Sequence, residues 1–375
     1  MNNELQIIYP LSHTFLPERF TCIHPMQLPA YLVENPDLCE DHPYLADLAS
    51  IELAAYLALK TSSPRSEAIS ERMIHPDLDL LEVSWVGLVD VLEGRSVKPT
   101  PGRKHIIVVP EKDNSGVRVF SASNYELLAL KIVSENIDSK TAAREAQVSV
   151  GLIDSILYSA GEKGLLLFPS SKIVRPREFC REDVATKTLC SSPSFTLQWH
   201  VTQACNLHCR HCYDRSDRVT MTINQGLHVL DDLYEFCMLH NVYGQVSFTG
   251  GNPLLYPHFI TLYREAVERG FLIGILGNPM ERTTIEEMLA IQKPEFYQVS
   301  LEGLSEHNDY MRGAGHYEQV LSFLELLKEL NVYSMVMLTL TSANMDQVLP
   351  LAGILENKAD LFTYNRLAMV GDCLL

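Results

Sequence analysis

From residue 194 onward, β-branched and aromatic runs alternate with helical apolar stripes. The run Thr196–Thr202 reads as a first strand, and the capping box Thr222-Ile223-Asn224-Gln225 opens a helix that continues to about Asn241. YGQVSFTGG (243–251) is a second strand, followed by a helix over HFITLYREAVERG (258–270) that Gly270 ends. FLIGILGN (271–278) is the third strand, and TTIEEMLAIQ (283–292) the next helix, with two overlapping T-x-x-E caps. EFYQVSLEG (295–303), the helix YEQVLSFLELLKELN (317–331) and VYSMVMLTLTSAN (332–344) continue the series. MDQVLPLAGILENK (345–358) is a helix that tolerates Pro350 in its first turns, and DLFTYNRLAMVG (360–371) is the sixth strand. Strands separated by helices predict a parallel sheet, and in a parallel barrel the functional residues gather at the carboxyl ends of the strands.

The pattern before residue 194 is different. LADLASIELAAYLALK (45–60) is apolar at helical spacing with no Gly or Pro, whereas LDLLEVSWVGLVDVL (78–92) fits a helix or a strand. Five prolines between Pro10 and Pro36 break up the leading segment. Two strand-like runs, His105–Pro110 and Val117–Ser121, flank a turn-rich stretch. Ser123 and Glu126 form a capping box for a first helix, SKTAAREAQ gives a second, and a third begins near Ser149. LLLFPSSKIV (165–174) then reads as a closing strand or wing. The expected domains are a helical N-terminal region (1–100), a winged-helix-like α+β domain (101–175), a linker (176–193) and an α/β barrel (194–375).

Composition narrows the function. With 46% hydrophobic residues in 375, the chain can bury a large core. A net charge of -17 argues against general nucleic-acid binding, and only Arg144 and Lys163 are basic between Thr141 and Leu165. No signal peptide opens the chain and no apolar run is long enough to span a bilayer, so a cytoplasmic location without membrane contact is expected. Nine Cys in such a chain read as metal ligands or buried thiols rather than disulfides. Cys22 and Cys39 have no nearby partner, and Cys180 and Cys190 fall in the linker.

Three thiols stand apart. Cys205, Cys209 and Cys212 are spaced C-x3-C-x2-C on the loop after the first strand. A structural zinc site or a cubane cluster takes four protein ligands, so three thiolates leave one coordination position open. His200, His208 and His211 crowd the loop, which makes zinc the natural rival.

The triplet followed by aromatic Tyr213 resembles the signature of the radical S-adenosylmethionine (SAM) enzymes. The resemblance implies a partial (β/α)6 TIM-type barrel and a [4Fe–4S] cluster on Cys205, Cys209 and Cys212. It also implies SAM on the open iron, split by one electron to a 5′-deoxyadenosyl radical that abstracts hydrogen from substrate. Later motifs fall at successive strand ends in the family's order. Gly250-Gly251-Asn252-Pro253 matches the element that binds the SAM amino group, with Asn252 where the family has Glu. Gly277-Asn278 matches the next element, and Ser300 in VSLEG matches a serine near the SAM ribose and carboxylate. Arg312 is a candidate for the SAM carboxylate or for a surface ion pair, Thr341 and Asn344 match a further pair, and Arg366 faces SAM or substrate. No catalytic side chain beyond these is identified.

VSLEG and the Arg312-Gly313 pair are nearest to the peptide-modifying (RiPP/SPASM-type) maturases, and GGNPLLYP and FTYNRLAMVG suggest the group acting on Cys- or selenocysteine-containing peptides. Those enzymes usually carry a C-terminal Cys-rich domain; here Cys373 is the only later Cys, so a chain truncated after strand six is expected. The strand, strand, helix, helix, helix order of 101–175 also resembles their leader-peptide recognition element, which captures peptide by β-augmentation. The partners implied are a precursor peptide and an electron donor such as a flavodoxin or ferredoxin. The alternative is a zinc-binding winged-helix regulator without enzymatic activity.

Overall fold

A computed structural model describes residues 2–17, 20, 24–61, 69–111, 115–176, 191–212, 214 and 218–367. Tyr213, Cys22, Cys180, Cys190, Cys373 and most of the expected linker lie outside these. The chain divides into two compact units, 1–148 with 153–170, and 149–152 with 171–375.

The second unit is α/β, and its elements are labelled in chain order. Strands β1 (Ser194–Thr202), β2 (Tyr243–Gly250), β3 (Leu272–Leu276), β4 (Phe296–Ser300), β5 (Ser334–Leu340) and β6 (Leu361–Arg366) form one parallel sheet, each beside its neighbour in sequence. Helices α1 (Ile223–His240), α2 (Phe259–Glu268), α3 (Arg282–Leu289), α4 (Ser305–Arg312), α5 (His316–Glu329) and α6 (Val348–Leu355) fill the connections. The sheet is consistent with a partial barrel. Its core joins strand residues such as Phe248, Ile275, Tyr297 and Leu338 to helix residues such as Leu230, Tyr263, Ile285 and Leu324. Each such side chain contributes roughly 1.5–3 kcal/mol by leaving water, which fixes the strand ends that carry the site.

Local signals behave unevenly. Thr222 and Gln225 close the expected capping box at the start of α1. The caps expected from Thr283 and Thr284 are not used: α3 starts one residue earlier, with Glu281 at its N-cap and no side-chain cap bond. Helix α4 has no counterpart in the sequence reading, because its eight residues carry a mostly polar face and little apolar periodicity.

The first unit holds the helix Leu45–Thr61 and an antiparallel sheet of Asp79–Val86, Thr100–Pro110 and Val117–Ser121. The ambiguous stretch 78–92 is both strand and helix: Gly87, at φ +91°, turns the strand directly into Leu88–Leu92. The sheet's first strand therefore comes from before residue 100, outside the expected 101–175 domain and in the stretch that fitted either a strand or a helix. Three helices follow, Asn124–Ser134, Ser139–Ala146 and Val150–Glu162, the first with the Ser123–Glu126 capping box formed. The expected wing gives only Leu166–Leu167, paired with Met73–Ile74 rather than with the three-stranded sheet.

Candidate active site

The Cys loop leaves the carboxyl end of β1, and its backbone docks on the end of β2. The Gly251 and Asn252 amides donate to the Thr202 and Ala204 carbonyls at 2.9 and 2.7 Å. Gly250, the last residue of β2, and Gly251 after it are both explained by this contact. A Cβ on Gly250, at φ +136°, would overlap the Thr202 carbonyl oxygen, and one on Gly251 that of Ala204. The resemblance assigns these glycines to a SAM-binding element; what they accommodate is the backbone of the Cys loop.

Three amides then join three strand ends. Asn206, inside the Cys loop, accepts from Asn278 Nδ2 at 2.8 Å and from Asn252 Nδ2 at 3.4 Å. Asn278 Nδ2 also lies 3.4 Å from Cys205 Sγ, and Tyr297 donates to the Asn278 carbonyl at 2.8 Å. Asn252 is fully buried, its Nδ2 lies against Met280 Sδ at 3.1 Å, and its Oδ1 has no hydrogen-bond partner. Gly277 stands opposite that oxygen: a Cβ there would lie 3.0 Å from Asn252 Oδ1 and 2.9 Å from the Tyr297 hydroxyl. A buried acceptor left unpaired costs about 1–3 kcal/mol, so the site favours a ligand that brings a donor. Asn206 was missed in the sequence because a loop Asn between two Cys carries no spacing signal of its own.

The thiols differ in surroundings. Cys205 is exposed, and Cys209 and Cys212 are half-buried. Among the described residues no group of three or more His, Cys, Asp or Glu side chains is gathered into a metal cage. Burial raises the Cys209 thiol pKa; Arg312 opposes that rise, and Cys205 and Cys212 add to it. The Cys209 sulfur is 3.7 Å from Arg312 Nη1.

Arg312 itself is not a surface residue. Its Nε and Nη2 meet Glu302 Oε1 at 2.9 and 2.5 Å, inside the protein. The expectation of a surface ion pair is thus corrected to a buried one, and two guanidinium donors expected for the SAM carboxylate are held by Glu302. Glu302 also meets His211 Nε2 at 3.2 Å and accepts from the Thr339 amide at 2.8 Å. Burial alone would raise its carboxyl, but Arg312 and His211 outweigh that and hold it down at about 2. Asn344 ties Thr341 to the Glu302 carbonyl, and Asn308 accepts from the Glu302 amide at 3.0 Å. Ser300 is half-buried at the end of β4, His208 and Arg366 are exposed, and His200 lies 3.9 Å from Asp214.

Residues 199–352 match the radical SAM superfamily model. This segment is a radical SAM domain. The chain is 26% identical over 188 residues to the pre-heme d1 synthase of Dinoroseobacter shibae, covering 48% of this chain and 45% of that one. It is 31% identical over 140 residues to the mycofactocin maturase MftC of Mycobacterium ulcerans, 35% of this chain and 36% of that one. Streptococcus suis SuiB bound to its precursor peptide SuiA aligns over 80% of this chain and 64% of that one, at 17% identity and a TM-score of 0.42. The chain spans less than half the length of both curated relatives. The cofactors of a radical SAM domain are a [4Fe–4S] cluster and SAM, and the residues present fit both: three thiols on one loop, and a buried acceptor free for an ammonium. No helix among the described residues is long and apolar enough to cross a membrane.

Proposed function

We propose that this chain is a radical SAM maturase of a ribosomally made peptide. Cys205, Cys209 and Cys212 hold the cluster, with Tyr213 next to the triplet in sequence. Gly250, Gly251, Asn252, Asn278 and Ser300 form the SAM side of the site, while Arg312, its fork held by Glu302, keeps only Nη1 beside Cys209. When bound, the cluster supplies one electron and SAM supplies the 5′-deoxyadenosyl radical that takes a hydrogen from the substrate. The protein's own part is orientation. Asn252 Oδ1 accepts from the SAM ammonium, while Asn206 and Asn278 hold the Cys loop on the ends of β2 and β3. Asn252 keeps the hydrogen bond that the family's Glu would make but not its charge, so anchoring is weaker.

The observation that carries the reading is that unpartnered buried oxygen beside the three-thiol loop. A peptide substrate is supported by the maturase among the relatives and by VSLEG and Arg312-Gly313 in this chain. The three-stranded antiparallel sheet of the first unit has Val117–Ser121 as an edge strand, the kind of edge a leader peptide can extend. A cysteine- or selenocysteine-containing precursor, an electron donor such as a flavodoxin or ferredoxin, and a cytoplasmic location complete the proposal. The zinc-binding regulator is not favoured, since 199–352 match an enzyme superfamily.

The test is anaerobic reconstitution with iron and sulfide, then reductant, SAM and candidate precursor peptides. The reading expects 5′-deoxyadenosine, with more formed when the right peptide is present. A formed cluster that yields none defeats the enzyme, and 5′-deoxyadenosine made with a tetrapyrrole but unaffected by every peptide defeats the substrate class.

A further inference from the structure

The segment from Glu302 to Arg312 grips the Cys loop at several points. The Arg210 amide donates to the Met311 carbonyl at 2.8 Å, its Nε donates to the Tyr310 carbonyl at 2.9 Å, and its guanidinium lies 4.1 Å from the Tyr310 ring centre. The next residue, His211, meets Glu302 Oε1 at 3.2 Å. The same oxygen takes two donors of Arg312, whose third nitrogen faces the Cys209 sulfur at 3.7 Å. Glu302 Oε2 is fixed by the Thr339 amide of β5. One carboxylate thus ties β5, the end of α4 and the stretch between Cys209 and Cys212, with its side chain 2% exposed.

The site does not explain this arrangement through SAM alone. A guanidinium aimed at a ligand carboxylate would keep its fork free; here the fork is filled and the remaining donor points to sulfur. Charge and hydrogen bonds around the sulfurs set the reduction potential of an iron–sulfur cluster. A positive group beside Cys209 favours the more negative, reduced cluster, and a negative group behind it offsets that effect.

We propose that Glu302 is a positioning residue. It holds His211 and Arg312 against the Cys209–Cys212 turn, and the Glu302–Arg312 pair sets the reduction potential of the cluster. This rests on the radical SAM reading above. The potential is a property of the whole site, and it would be altered in opposite directions by removing one charge or the other.

The test is a redox titration of the anaerobically reconstituted full chain, followed by EPR, for wild type, Glu302→Gln, Arg312→Gln and the double variant. Iron and sulfide content are measured on each sample. Arg312→Gln is expected to lower the potential, Glu302→Gln to raise it, and the double variant to return towards wild type. A purely structural role would not give shifts of opposite sign. If Glu302→Gln does not fold, Arg312→Lys serves: with the charge kept, its potential is expected nearer to wild type than that of Arg312→Gln. Intact clusters with unchanged potentials, or with both single variants shifted the same way, overturn the proposal. A wild-type chain that takes up zinc and no sulfide removes the radical SAM reading itself, an outcome distinct from these.

Discussion

Asn252 is where sequence and structure inform each other most closely. Its motif marked it as a ligand-facing residue, and the substitution for Glu was visible in the sequence. What could not be read there is that its Nδ2 is taken up by Asn206 and Met280, leaving one oxygen unpaired. We expect Asn252→Ala to weaken SAM binding by roughly tenfold or more, from the about 1–3 kcal/mol attached to a buried acceptor. Asn252→Glu should tighten it, and calorimetry on the cluster-loaded protein checks both. Arg312 shows the opposite case: its type and position were legible, but its true partner, Glu302, lies ten residues away on a different element, and sequence spacing does not encode that pairing. His316 was not singled out in the sequence, where the helix was expected to begin at Tyr317; it is the helix's first residue. It is buried against Asn308, and burial, then the positive Arg312, push its pKa down to about 4, with Asp309 and Glu302 opposing. The folded protein therefore holds it neutral while the unfolded chain protonates near its ordinary value. The stabilisation is complete above about pH 6.5 and is lost as pH falls towards 4, an amount of about 3 kcal/mol. Urea unfolding of the metal-free protein should show that fall, and His316→Asn should flatten it.

At the scale of elements, the strands were easier to read than the caps. Parallel strands buried on both faces are runs of β-branched and aromatic residues, and all six stand in the expected order. Helix α4 escaped because packing against the Cys loop, rather than an apolar stripe, holds it. The stretch 78–92 was ambiguous because its apolar run satisfies both periods, and only the left-handed Gly87 divides it. Gly250 and Gly251 were legible as part of a motif; that the Cys loop approaches them depends on the neighbouring strand. A Cβ at Gly251 would press on the Ala204 carbonyl and move the loop. Gly251→Ala is expected to keep the far-ultraviolet circular dichroism of the wild type and to lose most of its iron and sulfide after reconstitution. Full cluster content in that variant would contradict the docking described here.

For the whole molecule, the parallel α/β unit was foreseen, and the first unit only in outline. Its sheet borrows a strand from before residue 100, a long-range pairing that local patterns do not report. The acidic balance of -17 argues against nucleic acid as a ligand and leaves room for the proposed peptide. The proposed activity depends on one iron of the cluster being held by no protein side chain. The most direct measurement is EPR of the reduced, reconstituted protein with and without SAM labelled at its amino nitrogen or carboxylate oxygen. The account predicts a changed signal on SAM addition and magnetic coupling of the label to the cluster. A cluster signal indifferent to SAM, with no coupling, would contradict it.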